Sequence, residues 1–117
     1  EAFENSALAV FSVICDVNQA GDGKKLVLSE KASDLEELIV NLLQRLVVES
    51  DAENVFWKKL SVKKIEKTKT GYSIKAEAYG ADADHAIGIE HVKAVTHHET
   101  IVDEKNGLWT VHVLLDI

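Results

Sequence analysis

The sequence has only one cysteine, Cys15, which excludes an intrachain disulfide. Because Cys15 falls in a strongly apolar stretch, it is read as a packed thiol of a reducing compartment. There is no methionine and the chain starts at Glu1, so an amino-terminal piece is expected to precede it. No apolar run is long enough to span a bilayer, no basic segment precedes an apolar one, and no lipidation signal occurs, which points to a cytoplasmic protein. Positive charge is scarce: 13 Lys and Arg face 20 Asp and Glu, a net charge of -7, and the charges are dispersed along the chain. Such a surface repels phosphate backbones, because counterion release needs clustered cations, so docking on a protein partner is favoured over autonomous binding to nucleic acid.

Signature motifs of catalysis are missing too. The sequence has no GxSxG, no phosphate-cradling GxxxxGKS or GxxxxGKT, no GxGxxG and no HExxH. The acid pairs Asp82 with Asp84 and Glu36 with Glu37 read as a solvated loop and a first helical turn. No enzyme class gains support, and a protein that is not an enzyme is expected.

What is present suits one α+β domain over residues 1–117, nearly half of them apolar. Phe3, Ala7, Val10, Phe11 and Ile14 recur at helical spacing, and no capping residue precedes Ala2, so this helix is expected to begin before Glu1. Residues 17–24 read as a loop and Lys25 to Leu28 as a strand. Ser33 and Glu36 form a capping box ahead of Leu35, Leu38, Ile39, Leu42, Leu43, Leu46 and Val47, which mark one apolar face of a second helix. Burying each of those leucines contributes roughly 1.5 to 3 kcal/mol before the entropy of ordering is charged, so the stripe reads as core. Ser50 to Asn54 reads as a polar connection, and Val55 to Ile65 as a strand. Lys58, Lys59, Lys63, Lys64, Lys67 and Lys69 make the only basic run, read as a solvated strand edge in preference to an RNA-binding patch. Tyr72, Ile74, Ala76 and Ala78 alternate with polar residues as in a half-buried strand, and the polar stretch Ala81 to Ile89 follows as a loop.

Asn106-Gly107 predicts a two-residue type I′ hairpin, since both positions of that turn need positive φ. Lys105 then faces Leu108, and the register carried outward sets His97 opposite Asp116. His91, Lys93, His97 and Glu99 would share one sheet face, with Val92, Ala94, Thr96 and His98 on the other. A bulge of one residue would reverse that assignment. His85, His91, His97, His98 and His112 invite a zinc reading, but the spacing is wrong and one cysteine supplies no thiolate set. Asp116 and the terminal Ile117 offer oxygen donors suited to a hard cation, too few by themselves for calcium, and a solvated carboxy-terminal Asp competes with that reading.

Several stretches together resemble the archease family. The run from Glu90 to His98, Trp109, and the ending Val113-Leu114-Leu115-Asp116-Ile117 match its carboxy-terminal part. Glu1 to Phe11 with Cys15-Asp16, and Asp34 to Leu38 with the leucines after it, resemble its two helices. The resemblance implies an α+β fold with two amphipathic helices on mixed or antiparallel sheet. It also implies an accessory protein that promotes guanylylation of an RtcB-type RNA ligase in tRNA splicing, or alternatively modulates a tRNA methyltransferase. By similarity, Asp116 and Ile117 would bind a divalent metal, calcium by usual assignment, with an Asp from a family segment, Asp-His-Thr-Ala-Asp, that does not occur in this sequence. The family's first strand is accordingly expected outside residues 1–117. Lys93, with His97 and His85, would engage the ligase, a structural ion pair being the competing role for Lys93. The sequence departs from the family at His91, where an acid is usual, and at Ala81, where Glu is common. A metal-dependent hydrolase using the histidines and Asp116 is the remaining alternative.

Overall fold

The computed structural model describes residues 2–84 and 87–117, and of residues 97–99 the backbone alone. In chain order the elements are α1 (Ala2–Ile14), β1 (Lys24–Ala32), α2 (Leu35–Glu53), β2 (Val55–Lys67), β3 (Tyr72–Asp82), β4 (Ala94–Lys105) and β5 (Leu108–Asp116). The strands make a three-stranded antiparallel sheet, β1-β3-β2, and a separate antiparallel hairpin, β4-β5. Among the described residues no helix is long and apolar enough to cross a membrane.

The apolar stripe of α2 supplies the centre of one core: Leu38, Ile39, Leu42 and Leu43 are fully buried. They join Phe3, Ala7, Val10 and Phe11 of α1, Leu28, Leu60, Ile74, Ala76 and Ala78 of the sheet, Val92 just ahead of the hairpin and Val95 of β4. Burial is also tied by a polar group, since the Trp57 indole donates to the Leu46 carbonyl at 3.0 Å. Cys15 is buried, and that burial, followed by the neighbouring Asp16 charge, pushes its thiol pKa up.

Two details of α2 depart from expectation. Its N-cap is Asp34, not Ser33: the Asp34 carboxylate accepts from the Glu37 backbone N–H at 2.7 Å, while Ser33 Oγ donates to the Glu37 side chain. A carboxylate at the cap accepts a charge-assisted bond from the helix end, which a hydroxyl does not. The helix also continues through residues 50–53, and Asn54 ends it in the left-handed region at φ 52° with its N–H bonded to the Ser50 carbonyl. Ser50 is buried and its hydroxyl donates to the Val55 carbonyl, so the polar residues there fasten the reversal into β2 rather than forming a loop.

The hairpin turn forms as expected, with Asn106 at φ 55°, Gly107 at φ 79°, and Lys105 opposite Leu108. Beyond His112 the expected register fails. Ile101 pairs with His112 but Thr96 pairs with Leu114, so residues 97–100 bulge opposite Val113 alone. The Thr100 hydroxyl donates to the Thr96 carbonyl at 3.0 Å across the base of the bulge. Asp116 therefore faces Ala94, three residues from His97, and an odd displacement exchanges the faces. The cause is burial: an unbroken ladder would set His98 opposite Leu115 on the core side, whereas the bulge sets Val95 there, 4% exposed.

The fold also separates charges that look dispersed along the chain. Ten of the 13 lysines and arginines, against four of the 20 acids, lie in residues 24–32 and 55–82, the three-stranded sheet and its turn. On its outer face Glu77 accepts from Lys25 at 2.8 Å and from the Tyr79 hydroxyl at 2.8 Å, and Lys63 lies 3.4 Å away. The Lys25 hydrogen bond first, then those from Tyr79 and Lys63, hold the Glu77 carboxyl at about 2. Because this pKa is depressed in the folded state, the stabilisation is present above the ordinary value of 4.5 and is lost as the pH falls towards 2. Thermal unfolding followed from pH 6 to 2 is expected to show a steeper acid loss for the wild type than for Glu77→Gln, and parallel curves would show that the network adds nothing.

Candidate functional site

Where the chain enters the hairpin, successive residues are pinned by unlike contacts. Residues 87–90 lie along the end of α1: Asp16 N–H donates to the Ile87 carbonyl at 2.9 Å, Ile89 N–H to the Ile14 carbonyl at 2.8 Å, and Cys15 bridges Gly88. Val92 and Val95 are then buried, 2% and 4% exposed, and fix the backbone on both sides of Lys93. The Lys93 N–H donates to the Asp116 carbonyl at 2.7 Å, closing the open end of the hairpin. Lys93, Asp116 and Ile117 are all exposed, so a lysine and the last two residues of the chain emerge together at one rim.

Helix α2 supports this rim from the side. The Gln44 side chain accepts from Val95 N–H at 2.6 Å and Glu36 accepts from Val102 N–H at 3.4 Å, so helix side chains satisfy the β4 edge where a further strand would otherwise pair. Nothing in the sequence pattern singles out Gln44, which sits on the polar side of an ordinary amphipathic helix. A cleft of about 410 Å³ opens between the end of α2 and residues 88–92, lined by Ser50, Asp51, Phe56, Glu90 and His91 among others. At its mouth His91 Nε2 lies 3.3 Å from Asp51 Oδ2, both side chains being more than half exposed. Asp51 was concealed by the reading of residues 50–54 as a connection.

Of the residues singled out from sequence, Lys93 and Asp116 meet through the backbone alone: Asp116 pairs with Ala94, so the register that was expected to set Lys93 and Asp116 on one sheet face does not form. Lys93 makes no side-chain ion pair among the described residues. His85 lies outside the described residues, as does the side chain of His97, and the strand pairing removes the reason for setting His97 against Asp116. His112 is exposed opposite Ile101.

The donors among the described residues do not by themselves complete a calcium shell. Calcium takes six or more oxygens, and the described residues hold no group of three or more His, Cys, Asp or Glu placed for a metal. One lone pair of the Asp116 carbonyl is already spent on Lys93. What the rim can do chemically is present an ammonium on an immobilised backbone to an anionic or polar group of a partner.

Fold and site together define a small α+β protein whose polar groups stand on an exposed rim of a hairpin buttressed by two helices. The model of the Archease protein family matches residues 1–117. The chain belongs to the archease family. It is 38% identical to protein archease of Pyrococcus abyssi over 120 residues, covering 100% of this chain and 84% of that protein. Protein archease of Aeropyrum pernix is 33% identical, with 100% and 83% covered. The solution structure of Methanobacterium thermoautotrophicum protein 1598 superposes with a TM-score of 0.81 at 28% identity, covering 100% of this chain and 84% of that one.

Proposed function

We propose that this protein is a cytoplasmic accessory factor, not itself an enzyme, that activates an RtcB-type RNA ligase in tRNA splicing by promoting guanylylation of the ligase. Family membership supports the partner class, and one structural observation carries the choice of surface. Lys93 is exposed and without an ion pair among the described residues, while its backbone is fixed by Val92, Val95 and the bond to Asp116. A charge held in this way loses little freedom of its backbone on docking, which favours a role at an interface. In this reading Lys93 contacts an anionic group of the ligase, and Asp116 and Ile117 hold the rim in shape. His97 and His85 are proposed as neighbouring contacts. Asp116 and Ile117 would reach a divalent cation, calcium by the family's usual assignment, only with oxygens supplied from elsewhere.

The test is single-turnover guanylylation of an RtcB-type ligase with labelled GTP, with and without this protein at stoichiometric concentration. The expected result is a rate increase of tenfold or more that saturates at one protein per ligase. An unchanged rate would remove the proposal.

A further inference from the structure

Among the described residues, the outer face of the three-stranded sheet is an extended surface on which cations predominate. Alternation sends Ile74, Ala76 and Ala78 of β3 into the core and leaves Ser73, Lys75, Glu77 and Tyr79 on the other side. The pairing lays Lys31 opposite Ser73, Lys25 and Lys59 opposite Tyr79, and Lys64 opposite Lys75. The two acids of this face are already engaged, Glu77 by Lys25 and Lys63, and Glu66 by Lys64. Lys31, Lys59 and Lys75 are exposed and make no ion pair among the described residues. The rest of the chain carries three basic residues against 16 acids, so the protein is strongly polarised.

From this segregation we infer that the outer face of β1-β3-β2 docks the phosphodiester backbone of single-stranded nucleic acid through Lys31, Lys59 and Lys75. Charge complementarity selects a polyanion, and the composition of the face selects phosphates over a folded acidic protein. Around its centre stand Val27, Ser29, Ser61 and Ser73 with the lysines, and the Tyr79 hydroxyl is already tied to Glu77. Protein interfaces want an apolar, aromatic-rich centre and are depleted in lysine, whereas lysines and serines on an open surface suit phosphate oxygens, which fix orientation without reading sequence. The acidic remainder repels the same backbone, so the strand is confined to this face and binding is weak and salt-dependent. The inference departs from the expectation from net charge alone, and it does not depend on the ligase reading, since Lys93 lies outside the sheet.

The experiment is fluorescence anisotropy of a labelled 20-nucleotide oligouridylate against the full chain between 20 and 200 mM NaCl. Three neutralised phosphates predict a slope of about −2 in log affinity against log salt, so affinity falls roughly a hundredfold over that range. The triple variants Lys31→Glu/Lys59→Glu/Lys75→Glu and Lys31→Ser/Lys59→Ser/Lys75→Ser are expected to weaken binding at 20 mM salt at least tenfold. Lys105→Glu, at the hairpin tip, should change it less than twofold. Circular dichroism verifies that each variant is folded, and the serine set keeps the test open if charge reversal unfolds the sheet. Wild-type affinity in either folded triple variant would overturn the inference, as would binding of polyglutamate in place of the oligonucleotide, or no oligonucleotide binding at 20 mM salt.

Discussion

Replacing Lys93 with alanine is expected to raise roughly thirtyfold the concentration needed to stimulate ligase guanylylation, and so to abolish most of the stimulation at limiting protein, while leaving the fold intact. The magnitude follows from the cost of removing one partner of a hydrogen-bonded charge pair at an interface, about 2 kcal/mol at the low end. The fold survives because the contribution of Lys93 to structure is made by its backbone: the N–H that bonds the Asp116 carbonyl remains in any variant but proline, and Val92 and Val95 remain buried. Thermal unfolding should therefore move by no more than about 2 °C, within the range of surface substitutions. Lys93→Arg keeps the charge but spreads it over a planar fork, and an intermediate rate is expected. Guanylylation measured with wild type, Lys93→Ala and Lys93→Arg, each at the concentration that half-saturates the wild type, gives the comparison. Full stimulation by Lys93→Ala would leave the rim without a role.

The opposite dissociation, stability lost at a site remote from the rim, is expected at Leu43. Its side chain is fully buried in the stripe of α2, where the core is too tightly packed to close over a missing isobutyl group. Leu43→Ala should cost about 2 to 5 kcal/mol, a large share of the roughly 5 to 15 kcal/mol that holds a domain of this size together. Urea denaturation followed by tryptophan fluorescence measures it, since Trp57 is bonded to the same helix at Leu46. Leu8→Ala, on the exposed side of α1 at 43% accessibility, is expected to cost less than about 1 kcal/mol. Equal losses at the two positions would mean that the stripe is not the core that joins the helices to the sheet.

Much of this arrangement was legible in the order of residues, and the failures have a common physical origin. Leucines at helical spacing identify α2 because periodicity is a local property, and Asn106-Gly107 identifies the hairpin because a type I′ turn has strict local demands. The cap was misplaced by one residue because Ser33 and Asp34 are both competent acceptors, and only the backbone angles choose between them. The pairing of His97 with Asp116 failed for a reason that no hairpin rule contains: the core needed Val95 opposite Leu115, and a bulge costing some ladder bonds met that need. Charge segregation was hidden for a similar reason. Lysines scattered over residues 24–75 converge only when three strands are laid side by side. The rim around Lys93 was visible only in its members: the sequence set the lysine on one face with Asp116, whereas the bulge pairs Asp116 with Ala94 and leaves a backbone bond between the two, and Gln44 and Asp51 arrive from α2 through contacts that leave no periodic trace.

The proposed docking of the ligase can be tested by titrating unlabelled ligase into the 15N-labelled protein and following backbone amide resonances. The largest perturbations are expected at Val92, Lys93, Asp116 and Ile117, the residues that close the hairpin. Perturbations confined to the hairpin tip at Asn106 and Gly107, or to the β1-β3-β2 face, with the resonances of Lys93 and Asp116 unmoved at saturation, would contradict the assignment of the rim as the working surface.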